Sequence, residues 1–172
     1  MFDKVVGMAS WVSWGGFAGS DPQLAASIRE LLHQYGRGMA YLATVRKDGG
    51  PRVHPVSPIV TDEGLYCFVI ASPKRDDLNR DSRYALHGFP AENTDTEAYL
   101  TGRARQVVNV SIVDQMARQH RAAPGIDWTL FEFSVDVAML HRHSPDASAL
   151  IWRSDKSRGP AVAHRTPLLI AV

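Results

Sequence analysis

Two stretches of the sequence carry the residue types that bind a phosphate group. One contains Arg52, and the other is the run from Ser72 to Arg75, which also contains Lys74 and directly follows a predicted strand that ends at Ile70. A phosphate monoester carries almost two negative charges, and it needs cations of fixed geometry together with hydroxyl or backbone donors. A helix that begins at Ser72 would add backbone N–H groups and the positive end of its dipole. The same cluster is also compatible with a charged turn that is only solvated.

The remaining reactive side chains form no familiar catalytic motif. The sequence has no Gly-x-Ser-x-Gly nucleophile elbow, no phosphate-binding P-loop and no complete Gly-x-Gly-x-x-Gly. Cys67 lies inside a predicted strand, where a buried thiol is usually inert. His141 and His143 stand two residues apart, whereas a zinc site needs three or four ligands. We therefore expect no metal, and the weak candidates for proton transfer are His54 and Tyr66.

Length and charge restrict the class of protein. A chain of 172 residues suits a single domain. Its formal net charge of +1 gives no overall field that would favour nucleic acid or an anionic membrane. A lone cysteine cannot form an internal disulfide, and no apolar run reaches the ~18–20 residues that a membrane span needs. The first residues also lack a signal-peptide pattern. We expect a cytoplasmic protein with neither nucleic acid nor membrane as a partner.

Helices are predicted at three places. Asp21 is a good N-cap and Pro22 a good first residue for a helix that ends near Gly36. A second, short helix follows Ser72, and a third covers roughly residues 111–121. Residues 1–20, rich in glycine and aromatic side chains, are predicted to be an N-terminal extension or flap that packs on the body of the protein.

Period-two patterns predict six strands, which are joined mostly by short turns and are therefore antiparallel. They cover residues 39–46, 51–60, 65–70, 84–89, 98–108 and 128–140. The prolines of the second strand place it at a sheet edge or a bulge. Because successive strands of a hairpin series pair, we expect Arg52 and Ile70 on adjacent strands. Gly102 indicates a bulge or bend. The predicted fold is mainly β with flanking helices, a small antiparallel barrel whose closure removes exposed edges.

Three motifs resemble those of the pyridoxamine 5'-phosphate oxidase-like superfamily, the flavin-binding split β-barrels. The first is an apolar strand, an Asp-Gly turn and a Pro-x-x-x-Pro-Val strand within residues 39–58. The second is the Ser-x-Lys-x-x-x-Leu turn that begins at Ser72, and the third is Asp-x-Arg-Tyr-Ala-Leu from Asp81. The resemblance implies a six-stranded split barrel over residues 21–143, followed by a separate C-terminal segment over residues 144–172.

The resemblance also implies FMN held at a homodimer interface. The cofactor-binding positions that it carries over fall in three groups: a strand beside the flavin and its phosphate, a strand segment beside the ring, and a phosphate-binding turn. They are Arg52, Val53, His54, Pro55, Val56 and Ser57, then Val69 and Ile70, then Ser72, Lys74 and Arg75. The sequence departs from the pyridoxamine phosphate oxidases themselves at Ser57, where they carry a lysine. It departs again at residues 139–143, which lack the Arg-Leu-His-Asp-Arg segment.

These observations predict an FMN-dependent oxidoreductase that acts on an unassigned small molecule. Three alternatives stay open. A deazaflavin (coenzyme F-420) could bind instead, with Arg37, Arg103 and Arg105 beside its acidic tail. Haem could bind through His164. The protein could also bind flavin as a sensor or carrier without turnover.

Overall fold

The computed structural model describes residues 11–89, 91, 95–120, 122–142 and 149–155. His143 and His164 lie outside these ranges, as do most of the predicted C-terminal segment and the first ten residues. The described part of the chain forms four helices and nine strands. In chain order they are α1 Trp14–Ser20, α2 Pro22–His33, β1 Ala40–Val45, β2 Pro51–Val56, β3 Ile59–Val60, β4 Leu65–Ile70, α3 Pro73–Arg80, β5 Arg83–Gly88, β6 Thr96–Gln106, α4 Val110–Gln119, β7 Trp128–Phe133, β8 Val137–Arg142 and β9 Ala149–Arg153.

All strand pairings are antiparallel, and together they build one curled sheet with two halves that share β6. The first half runs β2-β1-β5-β6 and continues through β8 to β9. The second half runs β6-β7-β4-β3. The mainly β fold with flanking helices is therefore confirmed. Every one of the six expected strands is present, the second and the last are each interrupted, and β9 is additional.

The two halves meet near Gly102 of β6, where the neighbouring strand changes from β8 to β7. A Cβ atom at this position would stand 2.1 Å from the carbonyl oxygen of Ser134, so only glycine allows the approach. Near Gly102 the backbone N–H of Arg103 donates to Ser134 Oγ at 3.0 Å, and the hydroxyl of Tyr84 donates to Ser134 O at 2.7 Å. Ser134 and the next two residues form the break between β7 and β8, because the chain crosses there from one half of the sheet to the other. The bulge or bend expected at Gly102 stays a prediction, and the structure shows there a close approach of β6 to Ser134.

One expectation about strand order is wrong. The strand that carries Arg52 was expected beside the strand that ends at Ile70, but β2 pairs only with β1, while β4 pairs with β7 and β3. The reason is that residues 57 and 58 interrupt the long second strand, so only Ile59 and Val60 continue into the hairpin with β4. The barrel is consequently not closed between β2 and β4.

Two aromatic residues of the N-terminal segment belong to the main core. Trp14 and Phe17 lie in α1 and are almost fully buried. The ring of Phe17 packs against Trp152 of β9 with 4.9 Å between centroids. The backbone N–H of Val135 donates to Val12 O at 2.8 Å, which ties the segment before α1 to the break between β7 and β8. Of the predicted N-terminal extension, Trp14 and Phe17 therefore belong to the core, and of the predicted C-terminal segment, residues 149–153 add a strand to the sheet.

Among the residues that the structure describes, no helix is both long enough and apolar enough to cross a membrane.

Candidate functional site

One backbone edge of strand β2 is not paired with any strand in the described part of the chain. The N–H of Arg46 donates to Gly50 O at 2.8 Å across the β1–β2 turn. Hydrogen-bonded pairs alternate in an antiparallel ladder, so Arg52, His54 and Val56 direct their backbone groups towards β1. Val53 and the two prolines of β2 then face the open side. Because proline has no N–H, the Val53 N–H is the backbone donor that β2 presents at this edge.

Strand β4 offers a second unpaired edge beyond the short strand β3. Ala71 N–H donates to Asp127 O at 2.9 Å, so the same alternation directs Val69 towards β7 and leaves Ile70 facing outward. The side chain of Val69 is fully buried in the core, whereas Ile70 is 50% exposed. Of the two positions expected beside a ring, Ile70 can therefore contact a ligand directly, and Val69 can only support the strand from behind.

The open side between the two edges is bridged by α3. Its Asp77 carboxylate is buried, and it accepts hydrogen bonds from Arg52 Nε at 2.7 Å, Arg80 Nη2 at 3.0 Å and Thr44 Oγ1 at 3.0 Å. Burial alone would raise the pKa of Asp77, but the hydrogen bonds from Arg52, Arg80 and Thr44 outweigh it and lower the pKa. The Asp77 carboxylate thus holds Arg52 of β2 against α3. This contact links β2 to the helix that follows β4, although β2 and β4 are not paired with each other.

Arg52 lines a surface cleft of about 430 Å³ between the β1–β2 turn and α3. Ligand pockets usually measure ~300–1,000 Å³, so the cleft can accept a charged group of ligand size. The cleft is also lined by three basic residues, one proline and three acidic residues. They are Arg46, Lys47 and Arg80, then Pro73, then Asp48, Asp76 and Asp77. Arg46 is already paired with Asp48 at 2.6 Å. Lys47 and the terminal nitrogens of Arg52 have no partner among the residues that the structure describes.

The first turn of α3 carries the other predicted phosphate ligands. Ser72 occupies the N-cap position, but its hydroxyl donates to Ile70 O at 2.9 Å and does not cap the helix. Lys74 makes no ion pair within the described ranges. Arg75 is different, because its two terminal nitrogens donate to the Asp127 carboxylate at 2.7 and 3.0 Å. Lys74 is consequently available to an anion, whereas Arg75 would first have to leave Asp127.

Ser57 and Cys67 show how close the end of β2 lies to β4. The Cys67 thiol is fully buried; burial raises its pKa to about 12, against smaller opposing effects of the Lys74 charge and a hydrogen bond with the Ser57 backbone. The thiol is thus inert at neutral pH, as expected from the sequence.

The two candidates for proton transfer lie in different environments. His54 shares the inward side of β2 with Arg52 and Val56, and its Nε2 is buried with no hydrogen-bond partner among the described residues. Tyr66 packs against a second, smaller cluster under α4. Burial, and then the charges of Glu132 and Glu63, raise its pKa, so the phenol keeps its proton at neutral pH. The structure does not bring His54 and Tyr66 together.

Asp77 was not predicted, although it completes the site. Its sequence signal is weak, because Asp76-Asp77 within a charged, helix-compatible run is typical of a solvated surface. In the structure Asp77 is buried and contacts Arg52, whereas its neighbour Asp76 is exposed. No group of three or more histidine, cysteine or acidic side chains in the described ranges is arranged to hold a metal ion.

Comparison with solved structures decides which known architecture this is. An FMN-binding protein from Nostoc punctiforme, related to pyridoxamine 5'-phosphate oxidase, superposes with a TM-score of 0.61 at 11% identity over 83% of this chain and 93% of that one. A Clostridium acetobutylicum protein of the pyridoxine phosphate oxidase family, related to general stress protein 26, gives 0.59 at 13% identity over 77% and 94%. The chain has the pyridoxamine 5'-phosphate oxidase-like split-barrel fold. This confirms the fold that the sequence motifs predicted.

A split barrel with another ligand is also similar. The haem-binding protein from Mycobacterium smegmatis superposes with a TM-score of 0.55 at 14% identity, over 72% of this chain and 57% of that one. Identities this low establish a shared fold and no shared activity. No known family model matches the sequence, and no curated protein matches it.

Proposed function

We propose that this split barrel binds FMN and works as an FMN-dependent oxidoreductase on a small molecule. One observation carries the proposal: a cleft lined by Arg52 and three other basic residues lies between the β1–β2 turn and α3. The helix α3 directly follows β4, and the outward backbone N–H groups of β2 and β4 belong to Val53 and Ile70. A flavin nucleotide has the matching parts, because its ring edge is polar and its tail ends in a phosphate. The Nostoc split barrel, which is described as FMN-binding, supports the choice of nucleotide.

The residues at the opening fit the two ends of such a ligand. Arg52 and Lys74 would pair with the phosphate, and the first turn of α3 would add backbone N–H groups at the positive end of the helix dipole. The outward N–H groups of Val53 and Ile70 would donate to the polar edge of the ring. The exposed side chain of Ile70 would cover part of the ring face. Arg75 would contribute less, because Asp127 already holds it.

FMN, when bound, supplies hydride transfer at the ring N5. The chain itself has to orient the ring, exclude water and hold a proton nearby. His54 fits the last task better than Tyr66, because His54 lies on the strand that carries Arg52 and its buried Nε2 bonds to none of the residues that the structure describes. Tyr66 packs under α4 and keeps its proton, so we assign it a structural role.

The cofactor assignment is tested on purified protein. We expect a yellow protein with flavin absorbance bands, and we expect FMN to be the molecule released on denaturation, identified by mass spectrometry. Oxidation of a nicotinamide donor by the loaded protein would show turnover. A flavin-loaded protein that oxidises no donor and reduces no acceptor would instead be a carrier or sensor. A protein that is colourless and does not bind added FMN would refute the proposal.

Haem is the second candidate, because the Mycobacterium smegmatis split barrel is described as a haem-binding protein. A sharp Soret band after addition of haem, together with no FMN binding, would favour it. The deazaflavin alternative has less support. Arg105 donates two hydrogen bonds to Glu132 and stacks over Trp11, and Arg103 contacts Ser82. These two arginines therefore already have partners, whereas Arg37 makes no such contact with the part of the chain that the structure describes.

We also propose that the protein is a homodimer through the outer face of the first half of the sheet. Residues that point away from the core there form a continuous row across six strands, and most of them are apolar. In strand order from β2 to β9 they are Pro55, Tyr41, His87, Tyr99, Met139 and Ile151. Val53 begins the neighbouring row and is 58% exposed. No helix in the described ranges covers this face, and a second copy would bury it beside the open edge of β2.

Val53→Glu should therefore convert a dimer to a monomer and weaken FMN binding, because it places a charge in the buried interface. Light scattering at micromolar concentration gives the mass. The matched control is Leu150→Glu, which adds the same charge at a half-exposed apolar position on the opposite side of β9. A wild-type protein that is monomeric with flavin bound would contradict the dimer, and so would an equal effect of both variants.

A further inference from the structure

The proposed cofactor site contains an acidic residue, Asp77, whose negative charge does not favour the binding of a phosphate. Asp77 is 2% exposed, and it is one of few polar residues buried among those the structure describes. A carboxylate beside a phosphate site lowers the positive potential there, so its presence requires another reason. The hydrogen bonds of Asp77 supply one.

The helix α3 has attachments to the sheet that do not involve Arg52. Thr44 lies on β1, and Arg80 on α3 also donates to the carbonyl oxygen of Val45. Arg52 is the additional donor, and it bonds through Nε at 2.7 Å. This contact uses the inner nitrogen of the guanidinium group. The two terminal nitrogens stay unoccupied by the described residues, and Arg52 lines the cleft with its side chain 30% exposed.

We propose that Asp77 is a positioning residue, which holds the guanidinium of Arg52 so that its terminal nitrogens face a phosphate in the cleft. The inference rests on the proposed function for the identity of the ligand. A long, flexible side chain loses rotamer freedom when it binds an anion, and a side chain that is already ordered loses less. A guanidinium fixed at Nε also presents its terminal nitrogens as a planar fork, the geometry that matches phosphate oxygens.

A double-mutant cycle with FMN tests the coupling between the two residues. Asp77→Ala should weaken FMN binding on the order of tenfold, as expected for one side chain that must be ordered on binding. In a protein that already carries Arg52→Ala, the same change should alter the dissociation constant by less than about twofold. If Asp77→Ala weakens binding equally in both backgrounds, Asp77 acts through the fold and the proposal is wrong. FMN binding as tight as wild type in Asp77→Ala would also overturn it.

Two further variants separate positioning from folding and from net charge. Asp77→Asn keeps the size of the side chain and an oxygen that accepts from Arg52 Nε, so its FMN affinity should stay near that of wild type even if Asp77→Ala fails to fold. Asp81→Ala removes a negative charge from the residue after α3, where Asp81 pairs with Arg83 outside the cleft. It should leave FMN affinity unchanged. A loss of affinity in Asp77→Asn as large as in Asp77→Ala would contradict positioning through this hydrogen bond.

A measurement without ligand keeps the inference distinct from the proposed function. Nitrogen-15 NMR of arginine side chains should show a slowly exchanging Nε–H signal that disappears in Arg52→Ala and is therefore that of Arg52. This signal should persist in Asp77→Asn and broaden or vanish in Asp77→Ala. If wild type shows it but binds no FMN, the proposed function fails while the attachment of Arg52 to Asp77 stands. If the Arg52 signal is unchanged in Asp77→Ala, Asp77 does not hold Arg52.

Discussion

Arg52→Ala should weaken FMN binding by roughly 10–150-fold. A hydrogen bond to a charged group contributes ~1.5–3 kcal/mol, and ~1.4 kcal/mol corresponds to a tenfold change in affinity. Arg52 lines the cleft with its terminal nitrogens unoccupied by the described residues, so its loss removes a direct phosphate contact. Lys74→Ala should have an effect of the same order, because Lys74 makes no competing ion pair in the described part of the chain. Isothermal titration calorimetry or flavin fluorescence measures the dissociation constants.

Three comparisons show whether the effect comes from phosphate recognition. Riboflavin lacks the phosphate, so it should bind wild type weakly and be almost indifferent to Arg52→Ala. Arg75→Ala should weaken FMN binding less than Arg52→Ala, because Asp127 already engages Arg75. Arg83→Ala removes a mainly exposed arginine that pairs with Asp81, and it should leave affinity unchanged. If Arg52→Ala and Lys74→Ala both bind FMN as tightly as wild type, the cluster is only a solvated turn and the cofactor is anchored elsewhere.

The sequence predicted those parts of the site that depend on local pattern. The prolines of β2 indicated an edge strand, and β2 is the terminal strand of the sheet with Val53 facing outward. A helix was expected directly after Ser72, and α3 begins at Pro73. Both inferences use steric rules that act within a few residues, since proline lacks an N–H and a helix start has a characteristic cap. Such rules hold whatever the rest of the chain does.

Long-range pairing could not be predicted in the same way. Arg52 was expected to reach the phosphate turn because its strand neighboured β4, but it reaches α3 through Asp77 instead. The difference arises at residues 57 and 58, where a single long period-two pattern hides a break. Hydrophobic alternation continues on both sides of such a break, so it does not reveal that the chain has left one half of the sheet. Asp77 was likewise not predicted to be buried, because a charged residue in a polar run is typical of an exposed surface.

The sequence also did not show that Trp14 and Phe17 of the N-terminal segment belong to the main core. Their burial leads to the second prediction with a large expected effect. Phe17→Ala should lower the free energy of unfolding by ~3–5 kcal/mol, the usual loss for a buried phenylalanine. Phe17 is fully buried, and its ring packs against Trp14 at 5.4 Å and Trp152 at 4.9 Å between centroids. Its removal would leave a cavity where α1 meets β9. Domains have only ~5–15 kcal/mol of net stability, so urea denaturation should show a large shift of the midpoint.

A substitution two residues away provides the control. Gly19 lies in the same helix, and a Cβ atom there would meet nothing within 4 Å. Gly19→Ala should therefore leave stability unchanged or raise it by up to ~1 kcal/mol, because alanine loses less conformational freedom than glycine in a helix. If α1 were a flap that contributes little to the core, both substitutions would change the free energy of unfolding only slightly. A loss below about 1 kcal/mol for Phe17→Ala would show that α1 is such a flap and that β9 is held in place without it.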